Sequence, residues 1–202
     1  IIFYAAPDEE TGSEFGTQWL IEHHWVKVVA EYVWDEGGFG LKDFFGSEPV
    51  FSVAVAEKKD LWIKLIAHGE PGHSGMPHGN NAIDILNDTL VKVRGINEQY
   101  EAHPITQKMF KDIGGLMTFP KSFLLKNLKN PFVFKLLNPM LTESDTIAAM
   151  MKDTLSVTKI HAGEKENVIP QIAEATLDIR LLPGHSYEVF LDGLKSLIND
   201  ER

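Results

Sequence analysis

Cysteine is absent from this chain, so disulfide bonds and thiolate metal sites are excluded, and histidine and carboxylate side chains are the strong metal ligands that remain. There is also no apolar run of about 18 residues, and the first residues lack the basic start and the small-residue cleavage site of a signal peptide. These absences predict a soluble chain. They favour the cytoplasm and otherwise leave the compartment open.

Positive charge is scarce as well. The chain carries 19 Lys and Arg against 29 Asp and Glu, a formal net charge of -10, and its basic residues are scattered. A surface that binds nucleic acid or an anionic membrane needs clustered Lys and Arg, so we expect neither partner. With 202 residues, 44% of them hydrophobic, the chain can form one large or two small globular domains.

Residues 1–50 have the pattern of a β-α-β unit. An apolar strand at 1–6, a helix at about 14–29 and a second strand at 32–34 predict two parallel strands joined by a right-handed helical crossover. Both strands would then end at the same edge of a sheet, which is where open α/β sheets bind their ligands.

Carboxylates follow both of these predicted strands, and the residues concerned are Asp8, Glu9, Glu10, Asp35 and Glu36. Converging carboxylates repel each other unless a cation lies between them, so the pattern predicts a divalent metal site. Of two adjacent glutamates, one can bind a metal while the other accepts a proton from metal-bound water. Oxygen ligands alone suit magnesium or manganese, whereas zinc favours histidines, and a solvated acidic turn is the alternative.

The remainder of the chain predicts an α+β domain. The predicted elements are a strand before a turn at 58–60, a strand after it, a helix from about residue 80, strands at 155–162 and 172–181, and a helix at 186–198. We interpret them as β-α-β-β-α, one strand short of a ferredoxin-like sandwich. Prolines interrupt residues 101–145, which predicts short helices and loops that form a cover or insertion.

Three polar residues of this second region are candidates for ligand binding. His73 lies in the rigid loop GEPGHSGMP, which can present an imidazole to a ligand, although a loop histidine without a function is an equal alternative. Arg180 lies on the polar face of a predicted strand, and Asn167 lies in the turn before that strand. Arg and Asn together suggest a carboxylate clamp, whereas a salt bridge from Arg180 to Asp178 or Glu174 is the simpler alternative.

As an ordered set, the segments PDEETGSEFG, DEGGF, GEPGHSGMP, NVIP and ATLDIRLLPG resemble the zinc metallopeptidase family of aminoacylase, succinyl-diaminopimelate desuccinylase and carboxypeptidases G and S. The resemblance covers nearly the whole chain, and it is greatest to the branch of carboxypeptidase S and the N-acyl-amino-acid hydrolases. It implies an α/β fold with two parts. Residues 1–50 would belong to a parallel-sheet catalytic domain, and residues 51–202 would form an inserted ferredoxin-like lid that dimerises.

The resemblance also implies two zinc ions, or other divalent metals that the same ligands suit. Glu9 would be the general base that deprotonates the bridging water, and Glu10 would bind one zinc ion. Asp35 would bind the other, with Glu36 as the alternative because members of the family differ at this point.

For the substrate, the resemblance implies roles for the lid residues. His73 would reach the active site of the partner subunit in a homodimer and stabilise the oxyanion of the tetrahedral intermediate. Asn167 and Arg180 would hold the free carboxylate of a peptide or N-acyl amino acid whose amide bond is hydrolysed. A non-catalytic binding or dimerisation module derived from the same family is the alternative function.

Parts of the family pattern are missing from these residues. They are an upstream His-x-Asp motif, a bridging Asp and a His near the C-terminus. We therefore expect the chain to be an internal part of a longer protein. We expect this part to end before the last strand of the lid. We also expect the chain alone to be inactive, and turnover of an N-acyl amino acid by the purified polypeptide would contradict this expectation.

Overall fold

The chain forms two compact units, Ile1–Gly38 and Phe39–Arg202. The computed structural model describes residues 1–35, 38, 40–42, 49–96 and 99–202. In the first unit, the helical elements are a 3₁₀ turn at Glu9–Thr11, a π-helical turn at Glu14–Gln18 and helix α1 at Trp19–Val28. The helix predicted at about 14–29 is thereby confirmed.

The parallel strands predicted at 1–6 and 32–34 are wrong, because the structure forms no strand in either segment. Their large apolar side chains are exposed, with Phe3 at 91% and Trp34 at 97% of full exposure. A parallel strand is stable where neighbouring strands satisfy its backbone groups and helices cover both of its faces. In the described residues of the first unit, α1 is the only α-helix and no strand is available as a neighbour.

The second unit contains most of the secondary structure. In chain order its elements are β1 (Gly40–Leu41), β2 (Val50–Phe51), β3 (Lys59–His68), β4 (Gly72–His73), α2 (Ala82–Arg94), α3 (Pro104–Gly115), α4 (Lys121–Lys126), α5 (Pro131–Leu141), α6 (Asp145–Met150), β5 (Thr154–Ala162), β6 (Val168–Ile169), β7 (Ile172–Leu181) and α7 (Tyr187–Ile198). The strand predicted before the turn at 58–60 is limited to β2, because residues 52–58 form no strand and β3 begins inside the predicted turn. The side chains of Val53 and Val55 are exposed, so the alternating apolar residues of this segment do not pack against a core.

Strand β7 lies at the centre of a three-stranded sheet with the order β3-β7-β5. It pairs antiparallel with both neighbours, and Arg180 lies opposite Asp60 on β3 and opposite Thr154 on β5. Strands β3 and β5 are therefore parallel to each other, with helix α2 in the connection and β7 inserted between them. This is the split β-α-β arrangement of ferredoxin-like folds, and that part of the predicted fold is confirmed.

One face of the sheet is the core of the second unit. The inward side chains of β7 are at most 1% exposed, and they are Ala173, Ala175, Leu177, Ile179 and Leu181. Helices α2 and α7 cover this face, with Leu86, Val93 and Leu194 packed against it. Both helices begin at side-chain caps, since Asn81 accepts the N–H of Ile83 at 3.0 Å and Ser186 accepts the N–H of Glu188 at 3.1 Å.

Helices α3 to α6 form the insertion between α2 and β5, which confirms the short helices predicted over 101–145. They share a separate core, whose buried residues are Phe110, Ile113, Leu125, Leu128, Val133, Leu137, Leu141 and Met151. A Cβ on Gly114 of α3 would lie 3.1 Å from the Cβ of Leu125 on α4, so the missing side chain lets these two helices pack closely.

A buried carboxylate joins the end of the insertion to the turn after β7. One oxygen of Asp153 accepts the N–H of Leu182 at 2.7 Å, and the other lies 2.8 Å from Nδ1 of His185. The Nε2 atom of His185 is 3.5 Å from a carboxylate oxygen of Glu101, which precedes α3. The hydrogen bond to Asp153, with further attraction from both carboxylates, raises the pKa of His185.

This cluster predicts a pH-dependent stability. Because the folded-state pKa of His185 is raised above its ordinary value of about 6.5, the stabilisation is fully present below that value. It is lost as the pH rises through the folded-state pKa. In urea unfolding followed by circular dichroism, we expect the unfolding free energy of the wild type to fall over this range relative to His185→Gln. The exposed His161 provides the control His161→Gln, which should retain the wild-type dependence, and an unchanged pH dependence in His185→Gln would contradict the assignment.

Candidate functional site

The paired glutamates lie in a tight turn that the side chain of Asp8 closes. The backbone carbonyl of Asp8 accepts the N–H of Ser13 at 2.9 Å, and its Oδ2 accepts the N–H of Phe15 at 2.8 Å. These bonds satisfy N–H groups at the start of the helical segment. Glu9 and Glu10 lie inside the turn, and both are exposed. Asp8 therefore positions the two glutamates, a role that the sequence analysis did not assign to it.

Gly16 is required by the close approach of this carboxylate. A Cβ at Gly16 would lie 2.1 Å from Oδ1 of Asp8 and 2.9 Å from Cδ of Pro7. Oδ1 itself is buried and has no hydrogen-bond partner in the described part of the chain. A polar atom buried in this way costs free energy, so the turn is held by the other bonds of Asp8. Capping rules do not predict this contact, because Asp8 bonds a residue seven positions on, whereas an N-cap side chain bonds one two or three positions on.

The implied zinc site is not complete within the described residues. Residues 1–35, 38, 40–42, 49–96 and 99–202 contain no group of three or more His, Asp and Glu side chains that could hold a metal ion. Zinc binds four ligands in structural sites and three plus water in catalytic sites, so Glu10 and Asp35 do not suffice. The alternative ligand Glu36 lies outside the described residues. The roles of Glu10 and Asp35 as ligands remain predictions.

Two of the lid candidates are brought together by the short antiparallel pair of β4 and β6. His73 on β4 lies opposite Val168 on β6, the residue that follows Asn167. The N–H of Ser74 also donates to the backbone carbonyl of Asn167 at 3.1 Å. His73 and Asn167 therefore lie on adjacent backbone segments, and both side chains are exposed.

A backbone hydrogen bond selects one tautomer of His73. The N–H of Gly75 donates to Nδ1 of His73 at 2.9 Å. An accepting Nδ1 carries no proton, so the proton of the neutral imidazole is on Nε2. The exposed imidazole consequently offers an N–H donor at Nε2.

Glycines let the loop around His73 pack closely against its neighbours. A Cβ on Gly69 would lie 2.5 Å from the backbone nitrogen of Ala82, where no side-chain movement can relieve the clash. A Cβ on Gly72 would lie 2.9 Å from Nε2 of His78, a buried nitrogen without a hydrogen-bond partner among the described residues. The sequence predicts a rigid loop here, but the packing of Gly69 against the start of α2 is visible only in the three-dimensional structure.

Arg180 lies at the other end of β7. Its Nε donates to Oδ1 of Asp178 at 2.8 Å and its Nη2 to Oδ2 at 3.2 Å, so the salt bridge considered as the simpler alternative is present. This hydrogen bond is the main cause that raises the pKa of Arg180, and desolvation opposes it. Nine residues of extended chain separate Gln171 from Arg180, which is about 30 Å at 3.3 Å per residue. The four steps from Asn167 to Gln171 span at most about 14 Å, so the Cα atoms of Asn167 and Arg180 in one chain are at least about 16 Å apart.

The tautomer of His73 can be tested directly. We expect nitrogen-15 NMR at about pH 8.5, roughly two units above the ordinary imidazole pKa, to show a protonated Nε2 and an unprotonated Nδ1 for His73. The exposed His161, for which the structure gives no hydrogen bond to Nδ1, is the internal control and should show a mixture of tautomers. A protonated Nδ1 at His73 would contradict the hydrogen bond from Gly75.

Comparison with known proteins places these features in a family. The sequence model of the peptidase dimerisation domain of M20 peptidases matches residues 55–202. A protein of Dictyostelium discoideum described as probable carboxypeptidase S-like 2 is 31% identical over 100% of this chain and 39% of its own length. The N-fatty-acyl-amino acid synthase/hydrolase of Mus musculus is 29% identical over 96% of this chain and 39% of its own length.

The chain thus spans about two fifths of the length of these curated relatives. Among solved structures, the M20 family metallo-carboxypeptidase of Sulfolobus solfataricus matches 71% of this chain and 40% of its own, with 17% identity and a TM-score of 0.42. The resemblance that the motifs suggested is confirmed by the sequence matches. Because the domain match extends over more than half of its residues, the chain belongs to the M20 peptidase dimerisation domain family.

Proposed function

We propose that this chain is part of a zinc-dependent amidohydrolase that cleaves an amide bond in peptides or N-acyl amino acids bearing a free carboxylate. Membership of the M20 family and the names of the two relatives, a carboxypeptidase S-like protein and an N-fatty-acyl-amino acid synthase/hydrolase, support the reaction class. The structural observation that carries the proposal is the Nε2–H donor of His73, exposed on a closely packed loop. A fixed N–H donor is the group that amide hydrolysis needs to stabilise an oxyanion.

In the proposed reaction, Glu9 accepts a proton from the attacking water. The water oxygen bonds to the carbonyl carbon, and the carbonyl oxygen gains the negative charge to which Nε2 of His73 donates. The proton held by Glu9 then passes to the amide nitrogen, so that the C–N bond breaks and an amine leaves. The exposed position of Glu9, in a turn that Asp8 closes, supports this role because the base must reach a water molecule. Glu10 and Asp35 would be two of the zinc ligands, with the remaining ligands supplied by other residues.

Arg180 has the properties of a carboxylate-binding group. It lies on the face of the sheet that α2 and α7 leave uncovered, and its charge is assured by the raised pKa. A guanidinium has five N–H donors, and Asp178 occupies only Nε and one position on Nη2. The substrate carboxylate would bind the remaining donors, with Asp178 holding the guanidinium in position.

The separation along β7 supports a homodimer in which each active site draws on both subunits. His73 and Asn167 lie together beyond the start of β7, and Arg180 lies near its other end, about 30 Å from Gln171. A single substrate would therefore contact Arg180 of one subunit and the His73 and Asn167 pair of its partner. Analytical sedimentation of the chain should detect a dimer, and a monomer at high concentration would count against this arrangement.

The reaction can be tested in the longer protein that contains this chain. We expect Glu9→Gln to lower kcat by about 10²–10⁴-fold for an N-acyl amino acid while KM changes little, because the amide cannot accept the proton of water. Glu14→Gln changes an exposed acid of the same unit and is the matched control, with kcat expected near the wild-type value. Full activity of Glu9→Gln would contradict the proposal.

Mixed dimers test the sharing of the site. His73→Ala and Arg180→Ala proteins should each be nearly inactive, but a mixture allowed to exchange subunits should regain activity, because one site of each mixed dimer has both residues intact. A mixture of His73→Ala and Asn167→Ala should regain none, because both residues come from the same subunit at every site. Recovery in the second mixture, or its absence in the first, would refute the shared arrangement without bearing on the role of Glu9.

A further inference from the structure

One part of this acidic chain carries basic residues and no acidic ones. Residues 113–142 contain four lysines and no Asp or Glu, although the whole chain has a net charge of -10. The lysines are all exposed, and they are Lys121, Lys126, Lys129 and Lys135. None of them takes part in an ion pair within the described residues. We expected no membrane partner because the whole chain is acidic. This segment, however, is locally basic.

The same segment exposes large apolar side chains. Helix α5 buries Val133, Leu137 and Leu141 against the core of the insertion. A second stripe at the same spacing, Phe132, Leu136 and Met140, is exposed. Residues four apart lie on one face of a helix, so α5 has an apolar stripe in the core and another at the surface.

Helix α4 and the segment before it also expose phenylalanines. Phe119, two residues before α4, is 82% exposed, and Phe123 on α4 is 56% exposed. Lys121 and Lys126 lie on the same short helix, and Lys129 precedes α5. A soluble surface rarely exposes several phenylalanines within so few residues unless they contact a partner.

We propose that the α4–α5 segment, residues 119–140, binds to the surface of an anionic phospholipid bilayer. Phenylalanine and leucine side chains would enter the boundary between head groups and acyl chains, and the lysines would contact the anionic head groups. The absence of acids in the segment favours an anionic bilayer as the partner, because a carboxylate beside the apolar stripe would repel the negatively charged lipid surface. A second copy of the chain is disfavoured, since the same face would bring lysines against lysines.

The proposed binding uses only side chains that are already exposed. No described helix is both long and apolar enough to cross a membrane. The buried stripe of α5 stays in the core of the insertion, so binding requires no unfolding of α5.

The test is co-sedimentation of the full chain with vesicles of phosphatidylcholine, with and without phosphatidylserine. We expect binding that requires phosphatidylserine and weakens as salt is added, because ions screen the lysines. Lys129→Gln with Lys135→Gln should weaken binding to the anionic vesicles by about tenfold or more. Phe132→Ser with Leu136→Ser should weaken it by a similar factor, while thermal unfolding stays cooperative because the core stripe is intact.

The exposed Val91 of α2 and Val189 of α7 provide the matched control, Val91→Ser with Val189→Ser, which should bind like the wild type. The proposal would be overturned if the chain co-sediments equally with both kinds of vesicle. It would also be overturned if the chain co-sediments with neither. So would unchanged binding by both of the α5 variants. If Phe132→Ser instead dissociates a dimer in sedimentation without any effect on vesicle binding, the occupant is a second copy and the proposal is wrong.

Discussion

The pairing of β7 with both β3 and β5 is the interaction on which the second unit depends. Five alternate side chains of β7 are almost completely buried, and helices α2 and α7 are packed against them. Burying one leucine or isoleucine side chain contributes about 1.5–3 kcal/mol, so this single strand contributes a large share of the core. A shift of one residue would move its apolar side chains to the open face and bury Arg180 in their place.

The same register determines where the candidate residues lie. It places Arg180 opposite Asp60 near the start of β3, on the face without helices. At the other end, β3 and β7 lead into the short pair of β4 and β6, which positions His73 beside Asn167. The length of β7 separates the end that carries Arg180 from the end beside His73 and Asn167, and this separation is the reason for proposing that a second subunit completes the site.

Much of the second unit could be predicted from sequence because local pattern and tertiary environment agree there. The strict alternation at 172–181 indicates a strand with one buried face, and capped helices begin at Ala82 and Tyr187 with polar residues before them. The strands at 1–6 and 32–34 were predicted from apolar composition alone. Composition does not supply neighbouring strands, and without them in the described residues these segments stay exposed.

The candidate site was assigned from residue types, and its contacts could not be derived from the sequence. Motif order pointed to Glu9, His73 and Arg180, but the tautomer of His73 depends on the backbone position of Gly75. The salt bridge of Arg180 with Asp178 was foreseen as an alternative because residues two apart share a strand face. The link from Asp153 to His185 joins residues far apart in sequence, and no local pattern encodes such a contact.

The most direct test of this account is the distance along β7 in solution. The chain has no cysteine, so Asp60→Cys and Gln171→Cys introduce the only two sites for spin labels. In pulsed electron spin resonance, with excess unlabelled chain to remove distances between subunits, we predict a main distance of about 30 Å. A main distance below about 15 Å would mean that the two ends of the ladder meet within one chain. That result would contradict the register and the shared active site that follows from it.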